Sequence, residues 1–215
     1  MALTATPVPK VARPAQIPEN PIAAFLFGNT KMALFWLAIR VWVGYSWADA
    51  GLHKVQDPKW TATGESLKNY WVNATKIPEA PAKAAITFDW YRSFLQMLLD
   101  NQAYTWFGKL IAFGELAVGI ALVVGAFTGI AAFFGGLMNF NFMMAGSASS
   151  NPLLFAFAIG LVLAWKVAGY YGADAVLLRN LGTPWALGDI FRRGAPSEEA
   201  AGVAVPARAG AVSGA

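Results

Sequence analysis

Gly108 to Thr128 reads GKLIAFGELAVGIALVVGAFT, and the rest of the chain is organised around it. Beyond Lys109 it is apolar for long enough to cross the roughly 30 Å hydrocarbon core of a bilayer as a helix. One acid, Glu115, lies inside it. A carboxylate is costly in lipid, so Glu115 is expected to face protein and to find a cation there. Arg40 is the only arginine inside a comparable apolar stretch. Arg40 and Glu115 are therefore the expected buried pair.

Composition extends this reading to the whole chain. Of 215 residues, 57% are hydrophobic and 13% charged, about half the roughly 25% charged content of soluble domains. The expected class is an all-α membrane protein that crosses the bilayer several times. Cysteine is absent, which removes disulfides, iron–sulfur ligation, thiolate metal sites and thiol redox chemistry. A single histidine, His53, cannot supply bis-histidine haem ligation, and no metal site is expected. Electron transfer through such a chain would need a bound organic carrier, of which quinone is the membrane-soluble choice, or a cofactor on another subunit. The net charge of +4 is scattered, without the basic, aromatic-studded stripe of a nucleic-acid surface.

Taken in order, residues 1–31 are Pro- and Ala-rich and expected to be irregular, with Ile22 to Gly28 resting at an interface. No cleaved secretory signal is expected, because the first long apolar run starts near Met32 and carries Arg40. Spans are expected at about 32–52, 106–127, 129–146 and 153–172 within a membrane domain of 32–180, with a loop at 53–105 and a largely disordered tail at 181–215. On span 1, Arg40, Gly44, Trp47 and Gly51 share one side, and Trp42, Asp49 and His53 another. The loop is dense in Trp and Tyr, as at a membrane surface. Within it, Ala82 to Asn101 places Ile86, Trp90, Tyr91, Phe94, Leu95 and Leu98 in the pattern of an amphipathic helix over the bundle mouth, either a simple cover or a substrate-facing cap. Small residues, among them Gly114, Ala117, Gly119, Gly125, Gly129 and Gly160, are read as close-packing positions. Lys10, Arg13 and Lys31 before span 1, and Arg179, Arg192, Arg193 and Arg208 after span 4, put both termini in the cytoplasm and the long loop outside.

Rise per residue sets the depth of the charged groups. Arg40 falls roughly 12 Å from the cytoplasmic face and Glu115 roughly 18 Å, within reach of an arginine stem, with Asn139 of span 3 at a similar level. A network of Arg40, Glu115 and Asn139 has two readings: a pair that fixes helix register, or a proton or quinone-headgroup site. Lys166 is placed to snorkel toward the cytoplasmic end of span 4. At the outer end of span 1, Asp49, His53 and Lys54 lie beneath the aromatic loop, where cations could hold a small anion and neutral His53 could accept a proton.

Arg40, Gly44, AGLHK (Ala50 to Lys54), WYRSFL (Trp90 to Leu95), GELAVGIALVVGAFTGIAA (Gly114 to Ala132), MNFNF (Met138 to Phe142), Asn151-Pro152 and GYYGADAVLL (Gly169 to Leu178) occur in this order. In order and spacing they resemble the DoxX/DoxD family of four-helix membrane proteins, over roughly residues 32–180. The resemblance implies a four-transmembrane-helix bundle with an extracytoplasmic loop helix, in the cytoplasmic membrane. It also implies a subunit of a thiosulfate:quinone oxidoreductase, which joins two thiosulfates into tetrathionate and passes the electrons to quinone. A second, DoxA-like redox subunit or a further copy of the chain is the expected partner. On this reading His53, Lys54 and Arg92 attract the anion, Glu115 with Arg40 tunes protonation of a quinone between spans 1 and 2, and Asn139 contributes to binding. A non-catalytic membrane partner of a redox or detoxification complex, and a small-anion carrier using Arg40, are the rival classes.

Overall fold

The computed structural model describes residues 19–183 and 186–192. Those residues are predominantly helical: α1 (Pro21–Gly28), a 3-10 turn (Thr30–Met32), α2 (Ala33–Gln56), α3 (Pro58–Thr61), α4 (Glu65–Thr75), α5 (Asp89–Asp100), α6 (Tyr104–Val124), α7 (Thr128–Met144), α8 (Asn151–Leu163), α9 (Trp165–Ala168), α10 (Asp174–Leu181) and α11 (Asp189–Arg192). Two-residue strands β1 (Gly182–Thr183) and β2 (Ala186–Leu187) pair antiparallel before α11. Among the described residues α6 alone is long and apolar enough to cross a membrane; α1 and α2 meet the same criterion together, as a pair bent by 55°.

The bend has local causes. Asn20 caps α1 by accepting from the Ile22 amide at 2.9 Å, Pro21 fits its first turn, and Asn29 starts the next turn by accepting from the Lys31 amide at 2.9 Å. The Trp36 indole then donates to the Leu26 carbonyl at 2.6 Å, which ties α1 back onto α2.

α2 and α6 form the central antiparallel pair, and small residues set how closely they approach. A Cβ on Gly44 would lie 2.8 Å from the Val123 amide, one on Gly119 would strike Ala48, and one on Gly51 would strike Leu116. The backbones therefore touch, an approach that only small residues at these positions permit. Arg40, Gly44, Trp47 and Gly51 are all buried, while Trp42 and His53 face outward, as the helical spacing requires.

α7 and α8 complete the bundle around Trp36, Val43, Trp47, Leu122, Ala132 and Leu161. A second core, of Leu67, Trp71, Ile86, Tyr91, Leu95 and Ile111, joins α4 and α5 to the start of α6 and the end of α7. Three expectations change here. The loop holds two substantial helices rather than one, and α5 begins only at Asp89, with Trp90 and Phe94 exposed and Ile86, Tyr91 and Leu95 buried. The fourth span is not continuous to residue 172: α8 ends at Leu163, α9 follows a break at Ala164, and the chain turns before α10. Residues 181–183 and 186–192 form the end of α10, the small hairpin and α11 rather than a disordered run, and the tail from Gly194 lies outside the described residues.

Candidate functional site

The expected Arg40–Glu115 pair does not form. Gly51 of α2 lies against Glu115 and Leu116, whereas Arg40 lies beside Gly125, past the end of α6. Eleven residues of helix, about 16 Å, separate those two levels on α2. The two levels differ from the expected ones because α2 and α6 do not start and stop at common planes; they are offset by about two turns.

Each charge has another partner. Lys54 donates to a Glu115 carboxylate oxygen at 2.6 Å, with Glu115 1% exposed and Lys54 partly open to solvent at 22%. Lys54 Nζ also stands 5.3 Å from the centre of the Trp60 ring. At the opposite end Arg40, fully buried, donates to the Tyr171 carbonyl at 3.2 Å and is drawn electrostatically to the buried Asp174. Asp174 accepts from the Phe127 amide at 2.6 Å and the Thr128 amide at 2.8 Å, so a side chain from 46 residues downstream caps the N-terminus of α7. Its own amide donates to the Gly125 carbonyl at 2.8 Å. Gly125 itself has φ +73°, the left-handed conformation that ends α6. Arg40, Gly125 and Asp174 thus meet at this end, with Arg40 Nε and Nη1 buried and not hydrogen-bonded among the described residues.

The side chains expected to attract an anion are likewise individually tied. His53 has a side chain 74% exposed, with Nδ1 at 2.8 Å from the Asp49 carbonyl. Arg92 pairs with Asp89 and donates to the Ile86 carbonyl at 2.6 Å. His53, Lys54 and Arg92 thus serve three separate partners. Lys166 stands 5.4 Å from the Trp165 ring centre. Asn139 is fully buried, with neither amide atom hydrogen-bonded among the described residues.

A cavity of about 500 Å³ lies elsewhere, between α6 and α7 under α4 and α5. Its walls include Leu95, Leu98, Phe107, Gly114, Leu137 and Met138, and no charged side chain lines it. Leu110, Phe134 and Leu137 are exposed at its rim, so it opens to the outside of the bundle. The cavity does not lie at the expected position between spans 1 and 2, where α2 and α6 touch at Gly44, Gly51 and Gly119. α6 therefore has two working faces: Glu115 and Gly119 turn to α2, Phe107 and Gly114 to the cavity.

The cavity has one polar end. Tyr91 donates to the Asn141 carbonyl at 3.0 Å and lies 3.2 Å from the Asn141 side-chain oxygen; Tyr70 donates to the Phe142 carbonyl at 3.3 Å. Burial, with a smaller contribution from Tyr70, pushes the Tyr91 hydroxyl up to about 12, so at neutral pH it stays protonated and donates. Burial also raises Tyr70, opposed by a hydrogen bond from Ser147. Neither tyrosine was among the expected site residues. The usable signal was Tyr91 on the inward face of the amphipathic pattern, aimed at the MNFNF segment. No group of three or more His, Cys, Asp or Glu able to hold a metal occurs among the described residues.

No protein-family model matches the chain, and neither the curated proteins nor the solved structures contain a match to it.

Proposed function

We propose that the chain is a four-span membrane subunit of a quinone-linked oxidoreductase, with the quinone held in the cavity between α6 and α7. The observation that carries this reading is the cavity itself: about 500 Å³, uncharged, open to the surface that lipid would cover, and polar at one end. Ligand pockets of this kind run from about 300 to 1,000 Å³ and combine apolar walls with a few polar groups. Thiosulfate enters through the resemblance of the motifs. Two thiosulfates each give up one electron as their sulfur–sulfur bond forms, and the quinone takes both electrons and two protons. Lys54 and Glu115 are suited to the proton side. Lys54 reaches solvent at the loop end, and Glu115, which turns to α2 and not into the cavity, would act on the proton side through that lysine. The separate pairing of His53, Lys54 and Arg92 favours donor oxidation on a partner subunit.

The test is thiosulfate-dependent reduction of a soluble quinone analogue by the purified protein, with and without co-purifying subunits. Glu115→Gln should abolish reduction while the protein stays folded in the membrane. Normal turnover in that variant would remove Glu115 from the reaction, and no turnover from any folded preparation would leave the chain as a non-catalytic membrane partner.

A further inference from the structure

The two tyrosines at the polar end of the cavity are placed to do more than brace α7. A phenolic hydroxyl has one proton to donate. Tyr91 gives its proton to Asn141 and Tyr70 gives its proton to the Phe142 carbonyl. Both receiving carbonyls already hold a backbone donor: the Ala145 amide at 3.0 Å on Asn141 and the Ser147 amide at 2.9 Å on Phe142. Losing the tyrosine hydrogen bond therefore leaves neither backbone carbonyl without a donor, and the usual penalty for an unsatisfied buried group does not apply. The two hydroxyls bond the adjacent Asn141 and Phe142 carbonyls, which puts both at the same end of the cavity, while about 12 Å of apolar wall runs from there along α7 to Phe134.

We propose that Tyr70 and Tyr91 are releasable hydrogen-bond donors that turn from the α7 carbonyls to the carbonyl oxygen of an uncharged lipophilic ligand, which fixes its head group at the loop end and its tail toward the rim at Phe134 and Leu137. This assignment rests on the quinone reading above and deepens it. An uncharged lining disfavours a phospholipid head, whose phosphate would be buried without a cation. A quinone matches on every count: neutral, flat, carbonyl-bearing and lipid-borne. The lining aromatics, among them Trp71 and Phe107, suit a flat ring.

The experiment uses the purified full chain in nanodiscs, with a decyl-substituted ubiquinone analogue as probe and decylbenzene as its carbonyl-free counterpart. Binding is read by quenching of tryptophan fluorescence or by displacement. The wild type should hold the quinone several-fold more tightly than decylbenzene. Tyr70→Phe and Tyr91→Phe should each weaken quinone binding about fivefold, and the double variant about twenty-five-fold, with decylbenzene binding unchanged. The infrared carbonyl stretch of bound quinone should fall on binding to the wild type and recover in the double variant, a signature that altered packing alone would not move. Ala117→Phe, which fills the cavity from α6, should abolish binding of both probes and covers the case of a double variant that does not fold. Quinone bound equally by wild type and the folded double variant would overturn the role of the hydroxyls while leaving the cavity assignment intact. Hydroxyl-dependent binding without turnover would support this inference and sink the redox reading, and absence of quinone binding to the wild type would sink both.

Discussion

At the residue scale, the chain keeps Arg40 and Glu115 apart and gives each a different partner. Glu115 is buried and Lys54 supplies the only salt bridge described for it. Removing one partner of a buried pair leaves an uncompensated charge, whereas removing both need not cost anything. Lys54→Met is therefore expected to destabilise the folded protein by about 3 kcal/mol, read as a lower unfolding temperature in detergent. Adding Glu115→Gln to it should restore most of the loss. Equal unfolding temperatures for the single and double variants would show that the pair carries no such coupling. Glu115 as a buried acid in need of a cation was legible from sequence, because the cost of an anion in an apolar run is local. Its partner was not, because partner choice depends on the axial offset of two helices that sequence periodicity leaves open. Asp174 was hidden for a different reason: its capping of Thr128 joins residues 46 apart through the turn after α9, and no spacing rule covers that.

The elements show the same division. The face of α2 that carries Arg40, Gly44, Trp47 and Gly51 could be read from its 3.6-residue period, and that face meets α6. What periodicity could not give was how tight the seam is. At Gly44 a Cβ would meet the Val123 amide at 2.8 Å and the Leu122 Cβ at 2.9 Å, backbone and side-chain root rather than a flexible tip. Gly44→Ala should therefore cost about 1–3 kcal/mol as an overpacking change, despite the better helix propensity of alanine. Gly28, at the end of α1, has nothing within 4 Å of an added Cβ, and Gly28→Ala should be neutral or slightly stabilising. Thermal unfolding of the two variants side by side makes the comparison, and a neutral Gly44→Ala would mean that α2 and α6 separate readily. Helix α4 escaped the sequence reading because ESLKNYWVNAT buries only Leu67, Trp71 and Ala74, a narrow stripe that a polar loop obscures. The cavity escaped it too. A void between α6 and α7 is a property of how far two helices splay, and its lining reads as ordinary apolar helix residues.

For the whole molecule, the contacts sort the chain into two ends. The start of α2, the α6–α7 turn and the loop before α10 meet at Arg40, Gly125 and Asp174. The end of α2, the start of α6 and the end of α7 meet α3, α4 and α5 at the other. If α2, α6, α7 and the α8–α9 pair each cross the bilayer, the cap must lie on one side and α10 and α11 on the other. The lengths allow this with some accommodation. α7 has 17 residues, about 26 Å of helix, and α8 through α9 covers about 27 Å, a few ångströms short of a typical core and within the range that local thinning absorbs. Basic residues flank the α2 start and the α10 end, which predicts that this end is cytoplasmic. The absence of cysteine from the whole sequence makes the test clean, since each introduced thiol is the only one. Glu79→Cys, exposed in the loop before α5, and Asp189→Cys, exposed at the start of α11, both leave the basic residues in place. With a membrane-impermeant maleimide on intact cells, Glu79→Cys should label directly and Asp189→Cys only after permeabilisation. The reverse pattern would keep four crossings and invert the orientation. Labelling of both thiols on intact cells would mean an even number of crossings between residues 79 and 189, where the four-span reading requires three, and that reading would fall.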